Sequence, residues 1–400
     1  MIRMAIERSA HTGAQRPLPQ GPVLAWSNFQ MVDAPGIASV HHLQYKAFTT
    51  SGRAAIYQAL LQLNLPAGST VLVPTYHCPT MVAPALLANL QPAFFGLSHD
   101  GRPKLETIGI ETARNARAML VSHYFGLARG LEEVRQWCDH HGIALIEDCA
   151  HCFFGLAGTR PVGMWGDYAT ASVAKFWPIP EGGLLGSAHH PILDIRLQTR
   201  SIAAQIKGCA DALELASNYR RLGVLNDALA QLFSWKNTWK GHAPLIEDTG
   251  SSATQSIMRD CDMRRVALAP LWASRLLKAI VPCGRIIRRR QENFSRFARR
   301  FERVAGARAL FGPACDSVAP YVFPLWVDDA DTVYPAIRRQ RLPVFRWDRV
   351  WPGTPDLEGD VGPQWRRHVL QLVCHQDLRA EDIDRTASAI LALLDAPSAC

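Results

Sequence analysis

The stretch Ile143-Ala-Leu-Ile-Glu-Asp148 is a run of apolar residues that ends in two carboxylates. A short run of this kind, with no alternation of polar and apolar residues, predicts a strand buried on both faces of a parallel sheet. Similar runs occur at Thr70-Val-Leu-Val-Pro74, Pro92-Ala-Phe-Phe95 and Ala118-Met-Leu-Val-Ser-His123. This part of the chain therefore predicts an α/β fold, in which helices cover a mostly parallel sheet.

Helical periodicity fills the intervals between these strands. Apolar residues at helical spacing predict helices at 53–63, 79–89 and 131–141. The segment 189–240 reads as helical and connective, and a polar loop is predicted at 241–256.

The last third of the chain begins with a helical pattern at 263–280 and an arginine-rich helix after it. It then returns to strands at 321–327 and 369–374 and a final helix at 380–394. We therefore predict four parts: a loop-rich segment at 1–45, a large α/β domain at 46–187, a helical connector completing it at 188–280, and a small C-terminal α+β domain at 281–400.

The composition is that of a globular protein. The 400 residues are 48% hydrophobic and 20% charged, which excludes wholesale disorder. No apolar run approaches the ~18–20 residues that span a bilayer, and the polar start of the chain has no signal-peptide pattern. The ten cysteines are scattered and read as reduced thiols. A cytoplasmic protein without a membrane span is expected.

The formal net charge of +8 is concentrated in one segment. Residues 284–304 contain eight arginines and two glutamates. Phe294, Phe297, Phe301 and Val304 recur there at helical spacing, which predicts an amphipathic helix with a basic outer face. We favour a solvated helix face over a nucleic-acid surface, since no nucleic-acid motif accompanies it.

Ligands of open parallel sheets bind at the carboxyl ends of the strands, and four features of the sequence are predicted there. Ser51-Gly52-Arg53 opens a helix and is either a phosphate seat or a plain N-cap. Asp148 ends a strand and is either a cap or the partner of a buried cation. Lys175 lies in a small, apolar run and is either an amine nucleophile or a surface lysine. Glu181-Gly-Gly183 is a turn that brings the backbone close to Lys175. A phosphate seat, an acid and an amine are what pyridoxal phosphate requires.

Five short motifs follow one another in this region. They are Ser51-Gly-Arg-Ala-Ala55 (similar to SGTxA), Val73-Pro-Thr75 (VPS), His123-Tyr-Phe-Gly126 (HLYG), Ile146-Glu-Asp-Cys-Ala-His151 (IEDAAQ or IEDAAH), and Lys175 to Glu181-Gly-Gly183 (K-x5-E-G-G). In this order, residues 51–186 resemble the sugar aminotransferases of the DegT/DnrJ/StrS family, which have the fold-type-I architecture. The C-terminal half is a looser match.

The resemblance implies roles for individual residues. Lys175 would form the Schiff base with pyridoxal phosphate and act as general acid and base. Asp148 would pair with the pyridine nitrogen, and His151 would contact the ring face or its phenolic oxygen. The phosphate would be held by Ser51, Gly52, Arg53 and Thr170.

The sequence departs from the family at two places near the predicted site. Cys78 stands where the family has an aromatic residue stacked on the cofactor ring, so Tyr76 or His77 could supply the ring instead, or the stacking is weak. The family's NYRM segment, whose asparagine reaches the phosphate of the partner subunit, aligns with Asp260-Cys-Asp-Met263. An aspartate there would repel a phosphate.

The resemblance implies an aminotransferase that moves an amino group, with glutamate as donor, to a nucleotide-linked keto-sugar by a ping-pong mechanism. It also implies a homodimer. Two alternatives stay open: a non-enzymatic binding protein that holds the cofactor weakly or not at all, and a redox or metal site on Cys149-x-x-Cys152 with His151. Because no second ligand pair completes a zinc set, we expect buried cysteines and no metal site. We expect Trp347 and Trp351 to lie in the core or line a pocket.

Overall fold

In the computed structural model of the chain, residues 17–193, 195–238, 253–312 and 317–395 are described. Most of the predicted loop at 241–256, Cys315 and Cys400 lie outside these residues, as does the first part of the predicted N-terminal segment. No helix of the described ranges is long and apolar enough to cross a bilayer.

The strands and helices follow the predicted alternation. The strands are β1 (Tyr45–Thr49), β2 (Thr70–Pro74), β3 (Gln91–Leu97), β4 (Pro103–Lys104), β5 (Ala116–Ser122), β6 (Ala144–Asp148), β7 (Leu156–Ala157), β8 (Arg160–Pro161), β9 (Tyr168–Ala171), β10 (Gly183–Ser187), β11 (Ala307–Ala309), β12 (Val322–Val327), β13 (Val344–Phe345) and β14 (Val369–Val373). The α-helices are α1 (Gly52–Gln62), α2 (Pro79–Leu87), α3 (Ile110–Asn115), α4 (Glu132–His141), α5 (Ile202–Asn218), α6 (Leu225–Thr238), α7 (Ala253–Asp260), α8 (Trp272–Ile280), α9 (Cys283–Arg300), α10 (Ala330–Arg339), α11 (Gly362–His368) and α12 (Ala380–Leu394).

Eight strands form the large sheet, in the order β1-β10-β9-β6-β5-β2-β3-β4. The five central strands, from β9 to β3, are parallel, and the strands at both edges are antiparallel. Most residues of β2, β5 and β6 are buried, because helices cover both faces of the sheet. The predicted α/β fold with a mostly parallel sheet is confirmed.

A second sheet, in the order β11-β12-β14-β13, is antiparallel throughout. The apolar face of α9 packs on it: Phe294, Phe297 and Phe301 are buried and each contacts Phe323 of β12. The amphipathic helix is therefore as predicted. The boundaries of the four predicted parts stay a prediction.

Ion pairs neutralise part of the basic charge of α9 within the protein. Three of its arginines form ion pairs, which are Arg285 with Asp377, Arg289 with Glu292, and Arg296 with Asp384. Arg285 and Arg296 therefore join α9 to the segment around α12, whereas Arg289 pairs within the helix. The preference for a solvated helix face over a nucleic-acid surface stays a prediction.

Two predicted boundaries were wrong. The helix predicted at 263–280 is divided into a short 3₁₀ turn at Met263–Arg265 and α8 from Trp272, because Pro270 disfavours helical backbone in the residue before it. The predicted loop at 241–256 ends earlier than expected, since α7 begins at Ala253.

Candidate active site

Asp148 and Lys175 meet at the carboxyl end of the large sheet. Asp148 is the last residue of β6 and lies opposite Thr170 of the parallel neighbour β9. The chain leaves β9 and forms a 3₁₀ turn, Val173–Lys175, that brings the lysine back to this edge. The two side chains interact electrostatically, because each charge shifts the pKa of the other group. The structure therefore brings together the two residues on which the predicted site depends.

Burial sets the protonation of this pair. It raises the pKa of Asp148, and the charge of Lys175 together with hydrogen bonds opposes that shift. Burial likewise lowers the pKa of Lys175, and the charge of Asp148 opposes it. Both groups are thus moved toward their neutral forms, so the amine of Lys175 is available at a lower pH than that of an exposed lysine.

Hydrogen bonds orient the Asp148 carboxylate. Its Oδ1 accepts from the N–H of Ala150 at 3.0 Å, and its Oδ2 accepts from the hydroxyl of Ser122 at 3.4 Å. Ser122 ends β5, the strand on the other side of β6, and lies opposite Asp148 in the register. Neighbouring strand ends therefore fix the direction of the acid.

His151 closes one side of this site. Its ring lies 4.4 Å from the ring of Tyr321 and 4.8 Å from that of Trp347, measured between centroids. Burial, and then the charge of Lys175, lowers the pKa of His151 well below its ordinary value, so the imidazole is neutral. Its Nδ1 is a buried atom without a hydrogen-bond partner among the described residues. Trp347 is thus in contact with the site as well as with the core.

The backbone of Lys175 is held by a residue that the sequence analysis did not select. Arg290 of α9 is wholly buried and donates from Nη2 to the carbonyl oxygen of Lys175 at 2.6 Å. Its Nη1 donates to the carbonyl of Pro320 at 3.1 Å, next to Tyr321. The ring of Tyr321 in turn lies 5.0 Å from the Nζ of Lys175. Arg290 and Tyr321 are additional site residues from the second sheet and its helix.

One signal in the sequence could have found Arg290. It lies four residues after Ile286 and four before Phe294, so it falls on the buried stripe of α9 and not on its basic outer face. A charged residue on an apolar stripe has to find buried partners. Tyr321 had no comparable signal, because the contact depends on how the second sheet packs against the first.

The predicted phosphate seat is a capped helix start. The Oγ of Ser51 accepts a hydrogen bond from the N–H of Ala54 at 3.3 Å, and the first N–H groups of α1, at Gly52 and Arg53, have no partner within the helix. Arg53 Nη2 lies 3.7 Å from an oxygen of Asp262, and its Nε is buried without a partner in the described part of the chain. The N-cap at Ser51 is as predicted. The binding of a phosphate at this helix start stays a prediction.

Two glycines allow the backbone to pack closely around the start of α1. A side chain at Gly183 would place its Cβ 2.1 Å from the carbonyl oxygen of Ser51, so the Glu-Gly-Gly turn packs directly on the start of α1. A Cβ on Gly52 would lie 3.3 Å from that of Ser172, in the segment that leads to Lys175. Close packing on α1 therefore requires a glycine at position 183 of the turn.

Thr170 and Cys78 lie near the site in different ways. Thr170 is wholly buried, and its hydroxyl donates to the carbonyl of Glu147 at a long 3.5 Å. Cys78 is partly exposed, directly before α2, and its charge would raise the pKa of Lys175, which places the two side chains near each other. The cofactor contacts predicted for both residues stay predictions.

The two aromatic alternatives to Cys78 are held in the core. Tyr76 is wholly buried, and its hydroxyl accepts a hydrogen bond from Gln371 at 3.2 Å. His77 is also wholly buried, with Nδ1 2.7 Å from the carbonyl of Pro74 and Nε2 accepting from the N–H of Trp351 at 3.0 Å. Both rings are packed in the core, and the stacking predicted for either of them stays a prediction.

The cysteines of the Cys-x-x-Cys motif are small buried groups. Both are wholly buried, and burial raises the pKa of Cys149 well above its ordinary value and that of Cys152 to about 12. Thiols of this kind are poor nucleophiles and poor metal ligands, because both roles need the thiolate.

Ligand atoms of His123, Glu147 and Cys149 lie within 4.8 Å of one another. Hydrogen bonds already account for the first two. His123 Nε2 lies 2.8 Å from an oxygen of Glu147. The same carboxylate accepts N–H groups from Gly163, Trp165 and Gly166. We therefore interpret His123, Glu147 and Cys149 as buried structural groups behind Asp148.

Asp260, the aspartate predicted to repel a phosphate, has a cationic partner, because it lies 2.6 Å from Arg349. Asp262, two residues further on, is the partner of Arg53. Asp262 therefore acts on the predicted phosphate seat through Arg53 of the same chain.

A mostly parallel sheet with a lysine and an acid at neighbouring strand ends, supported by a second antiparallel sheet, is the architecture of a fold-type-I aminotransferase. Solved structures of such enzymes superimpose on the chain. DesV from S. venezuelae gives a TM-score of 0.59 at 16% identity, covering 89% of this chain and 86% of its own. TlmJ from Streptoalloteichus hindustanus gives a TM-score of 0.58 at 17% identity, covering 87% of this chain and 85% of its own.

Sequence comparison adds the family. Residues 35–200 match the sequence profile of the DegT/DnrJ/EryC1/StrS aminotransferase family. A GDP-perosamine synthase from Vibrio cholerae is 29% identical over 185 residues, which are 44% of this chain and 50% of the relative. A UDP-N-acetyl-3-dehydro-α-D-glucosamine 3-aminotransferase from Acidithiobacillus ferrooxidans is 29% identical over 153 residues, 38% of this chain and 40% of the relative. The family profile thus matches fewer than half of the 400 residues, and the match spans about half the length of the curated relatives, or less.

Proposed function

We propose that this protein is a pyridoxal-phosphate-dependent aminotransferase that moves an amino group from an amino acid, with glutamate as the first candidate, to a nucleotide-linked keto-sugar. The observation that carries the proposal is the placement of Lys175 and Asp148 at neighbouring strand ends, where the charge of each shifts the pKa of the other. The names of the curated relatives, which are aminotransferases of nucleotide sugars and of an inosose, support the substrate class.

The residues present fit this cofactor. When bound, pyridoxal phosphate supplies an aldehyde that condenses with primary amines and a pyridine ring that withdraws electrons. Lys175 provides a half-buried amine with a lowered pKa, Asp148 an oriented acid, and the Nδ1 of His151 a buried polar atom that lacks a partner among the described residues. An orphaned polar atom beside an amine and an acid is typical of a site that a polar ligand completes.

Lys175 has two tasks in the proposed reaction. Its lowered pKa favours the neutral amine, which can attack an aldehyde carbon. Its Nζ would also accept the proton from the α-carbon of the amino donor and return it at the neighbouring position. The bond from Arg290 to the Lys175 carbonyl limits the movement of the backbone, so that the amine stays in reach for both steps.

Asp148 would accept a hydrogen bond from the protonated pyridine nitrogen. A carboxylate buried beside a cation gains more from the pairing than an exposed one, because water does not screen the two charges. The bonds from Ala150 and Ser122 hold its oxygens in place, so the acid would keep the ring nitrogen protonated throughout the reaction.

The phosphate would lie at the start of α1. The free N–H groups of Gly52 and Arg53 and the positive end of the helix dipole favour an anion there. Asp262 neutralises part of the charge of Arg53, so the backbone carries more of the binding than the guanidinium does. The Thr170 hydroxyl would exchange its long bond to Glu147 for one to the phosphate.

A spectrum of the purified protein tests the proposal. With pyridoxal phosphate, the wild type is expected to absorb at the violet edge of the visible, to lose this band with borohydride and to shift on adding glutamate. After reduction and digestion, the peptide that contains Lys175 should carry the added cofactor mass. Lys175→Ala is expected to show none of these four results.

Lys207→Ala is the matched control, since Lys207 is a half-exposed lysine on α5 paired with Asp211. It should behave as the wild type does. If the wild type stays colourless with the cofactor, or if reduction labels another lysine, the proposal is wrong. A colourless protein would favour the non-enzymatic alternative.

The homodimer and the cytoplasmic location are part of the same proposal. The eight described cysteines are all free, which supports a reducing compartment. Light scattering coupled to size-exclusion chromatography tests the dimer. The measured molar mass is expected to be twice that of one chain. A monomer at micromolar concentration would contradict it.

A further inference from the structure

A cavity of about 310 Å³ lies between the N-terminal segment, the end of α5, the start of α9 and the loop before α12. None of the ten residues that line it belongs to the site around Lys175. Six of the ten are charged, five arginines and one acid, and these are Arg220, Arg221, Arg285, Arg289, Arg379 and Asp377.

The local fold brings these arginines together from three segments. Helix α5 ends at Asn218, and Arg220 adopts a φ of 52°, which reverses the chain. The N–H of Arg221 then donates to the carbonyl of Ala216, so both arginines stay beside the end of α5. Arg285 and Arg289 are one helical turn apart on α9 and share a face.

Three of the five arginines have an acidic partner. These pairs are Arg220 with Asp227 at 3.3 Å, Arg285 with Asp377 at 2.8 Å, and Arg289 with Glu292 at 2.6 Å. Asp377 is buried and also accepts hydrogen bonds from the N–H of Val23 and the side chain of Asn28, so it serves as an anchor for the N-terminal segment.

Arg221 and Arg379 have no such partner. Within the described ranges, no carboxylate oxygen lies within 4.0 Å of either guanidinium. Arg221 is half-buried, and its Nε has no hydrogen bond. Burial lowers the pKa of Arg221, and the charge of Asp377 opposes that shift. Arg379 is exposed. The acid nearest in sequence to Arg379 is Asp382, which accepts the backbone N–H of Arg379 at the start of α12. Two positive charges of the cavity are thus left without an ion pair.

We propose that this cavity binds a phosphate group with two or more negative charges, carried by a small molecule, at a site separate from Lys175. Guanidinium groups offer paired N–H donors whose geometry matches two oxygens of one phosphate. A phosphate with two negative charges can neutralise both unpaired arginines, whereas a single carboxylate carries one charge. The volume of the cavity lies at the lower end of the range of small-molecule sites. A concave site of this size fits a small molecule better than a nucleic acid.

Calorimetric titration with inorganic pyrophosphate tests the proposal. The full chain is first saturated with pyridoxal phosphate, so that the seat at Ser51 is filled. Pyrophosphate is expected to bind the wild type at one site, and less tightly as the salt concentration rises. Arg221→Gln and Arg379→Gln should each weaken binding about tenfold, since each removes a charged hydrogen bond to the anion.

Arg303→Gln is the control, because Arg303 is 91% exposed just beyond the end of α9 and away from the cavity lining. It should bind pyrophosphate as the wild type does. Circular dichroism confirms the folding of each variant; if Arg221→Gln does not fold, Arg379→Gln decides the test.

A parallel titration with UDP identifies the source of the phosphate. Binding at least tenfold tighter than that of pyrophosphate, with the same dependence on the two arginines, indicates a nucleotide; equal binding indicates another phosphorylated molecule. The proposal is overturned if pyrophosphate does not bind, if neither arginine variant weakens it, or if Arg303→Gln weakens it equally.

Discussion

Arg290 of α9 donates a hydrogen bond of 2.6 Å to the carbonyl oxygen of Lys175. The same guanidinium contacts the carbonyl of Pro320 and the side chain of Gln376, and its carbon lies 4.4 Å from the ring centroid of Phe176. One wholly buried cation therefore joins the turn that carries the candidate nucleophile to the second sheet. Burial lowers its pKa to about 10, which leaves it charged at neutral pH.

Replacing Arg290 should reduce the stability of the fold. Arg290→Met fills a similar volume but leaves buried carbonyl groups without donors, at a cost of about 3 kcal/mol of unfolding free energy. Denaturant titration measures this loss. The control is Arg299→Met on the exposed face of the same helix, which should unfold as the wild type does. Equal stability of the two variants would contradict the role of Arg290.

Asp148→Asn should make Lys175 more reactive toward acylating reagents in the cofactor-free protein. The charge of Asp148 raises the pKa of Lys175 against the effect of burial, so its removal lets that pKa fall further. The pH dependence of Lys175 acetylation, followed by mass spectrometry of its peptide, should therefore shift to lower pH. Asp384→Asn removes an acid at the surface, and its profile should match the wild type. A shift to higher pH in Asp148→Asn would contradict the pairing.

Much of the fold follows from local sequence patterns, but the site does so only in part. The central strands were predicted from runs such as Thr70–Pro74, and the order of motifs placed Asp148 and Lys175 at one edge. Arg290 was not predicted, because only the basic outer face of the arginine-rich helix was considered and Arg290 lies on its buried face. Tyr321 could not be predicted, since its contact arises from packing between two sheets that are distant in sequence.

The arginine-lined cavity was beyond prediction for the same reason. Its walls come from α5, α9 and the loop before α12, and a one-dimensional pattern records none of their contacts. The sequence showed where the positive charge is concentrated, but only the ion pairs show which arginines remain without a partner.

Gly183→Ala should disrupt the start of α1. Its Cβ would lie 2.1 Å from the carbonyl oxygen of Ser51, so either the turn or the helix start has to move. We expect a loss of about 1–3 kcal/mol in unfolding free energy and weaker cofactor binding. Gly36→Ala is the control, because nothing lies within 4 Å of a Cβ at Gly36. Unchanged stability of Gly183→Ala would mean that the turn is not packed as described.

His151→Gln and His151→Leu should differ in cofactor affinity. Glutamine keeps a polar group at the position of the orphaned Nδ1, whereas leucine removes it. We expect the apparent Kd for pyridoxal phosphate to rise about tenfold in the leucine variant and to change little in the glutamine variant. Absorbance titration measures both. His140→Leu on the exposed end of α4 is the control. Equal affinities of the two His151 variants would show that Nδ1 makes no contact with the cofactor.

The unfolding free energy should fall as the pH decreases from 6.5 to 4. Burial lowers the pKa of His77 and of His375 to about 4, so the folded protein keeps both rings neutral while the unfolded chain takes up protons below pH 6.5. Because the unfolded state then binds more protons, each ring costs on the order of 3 kcal/mol by pH 4. His151 acts in the same direction, and the raised pKa of Asp148 offsets part of the effect.

Urea titrations at pH 7.5, 6 and 5 measure this dependence. His375→Gln should flatten it, because the glutamine does not titrate and can still accept from the N–H of Asp377, as the His375 Nδ1 does at 3.1 Å. The exposed His140→Gln is the matched control and should leave the slope unchanged. A stability that is constant or rises toward pH 5 would mean that these buried rings are protonated in the folded protein, contrary to the environments described.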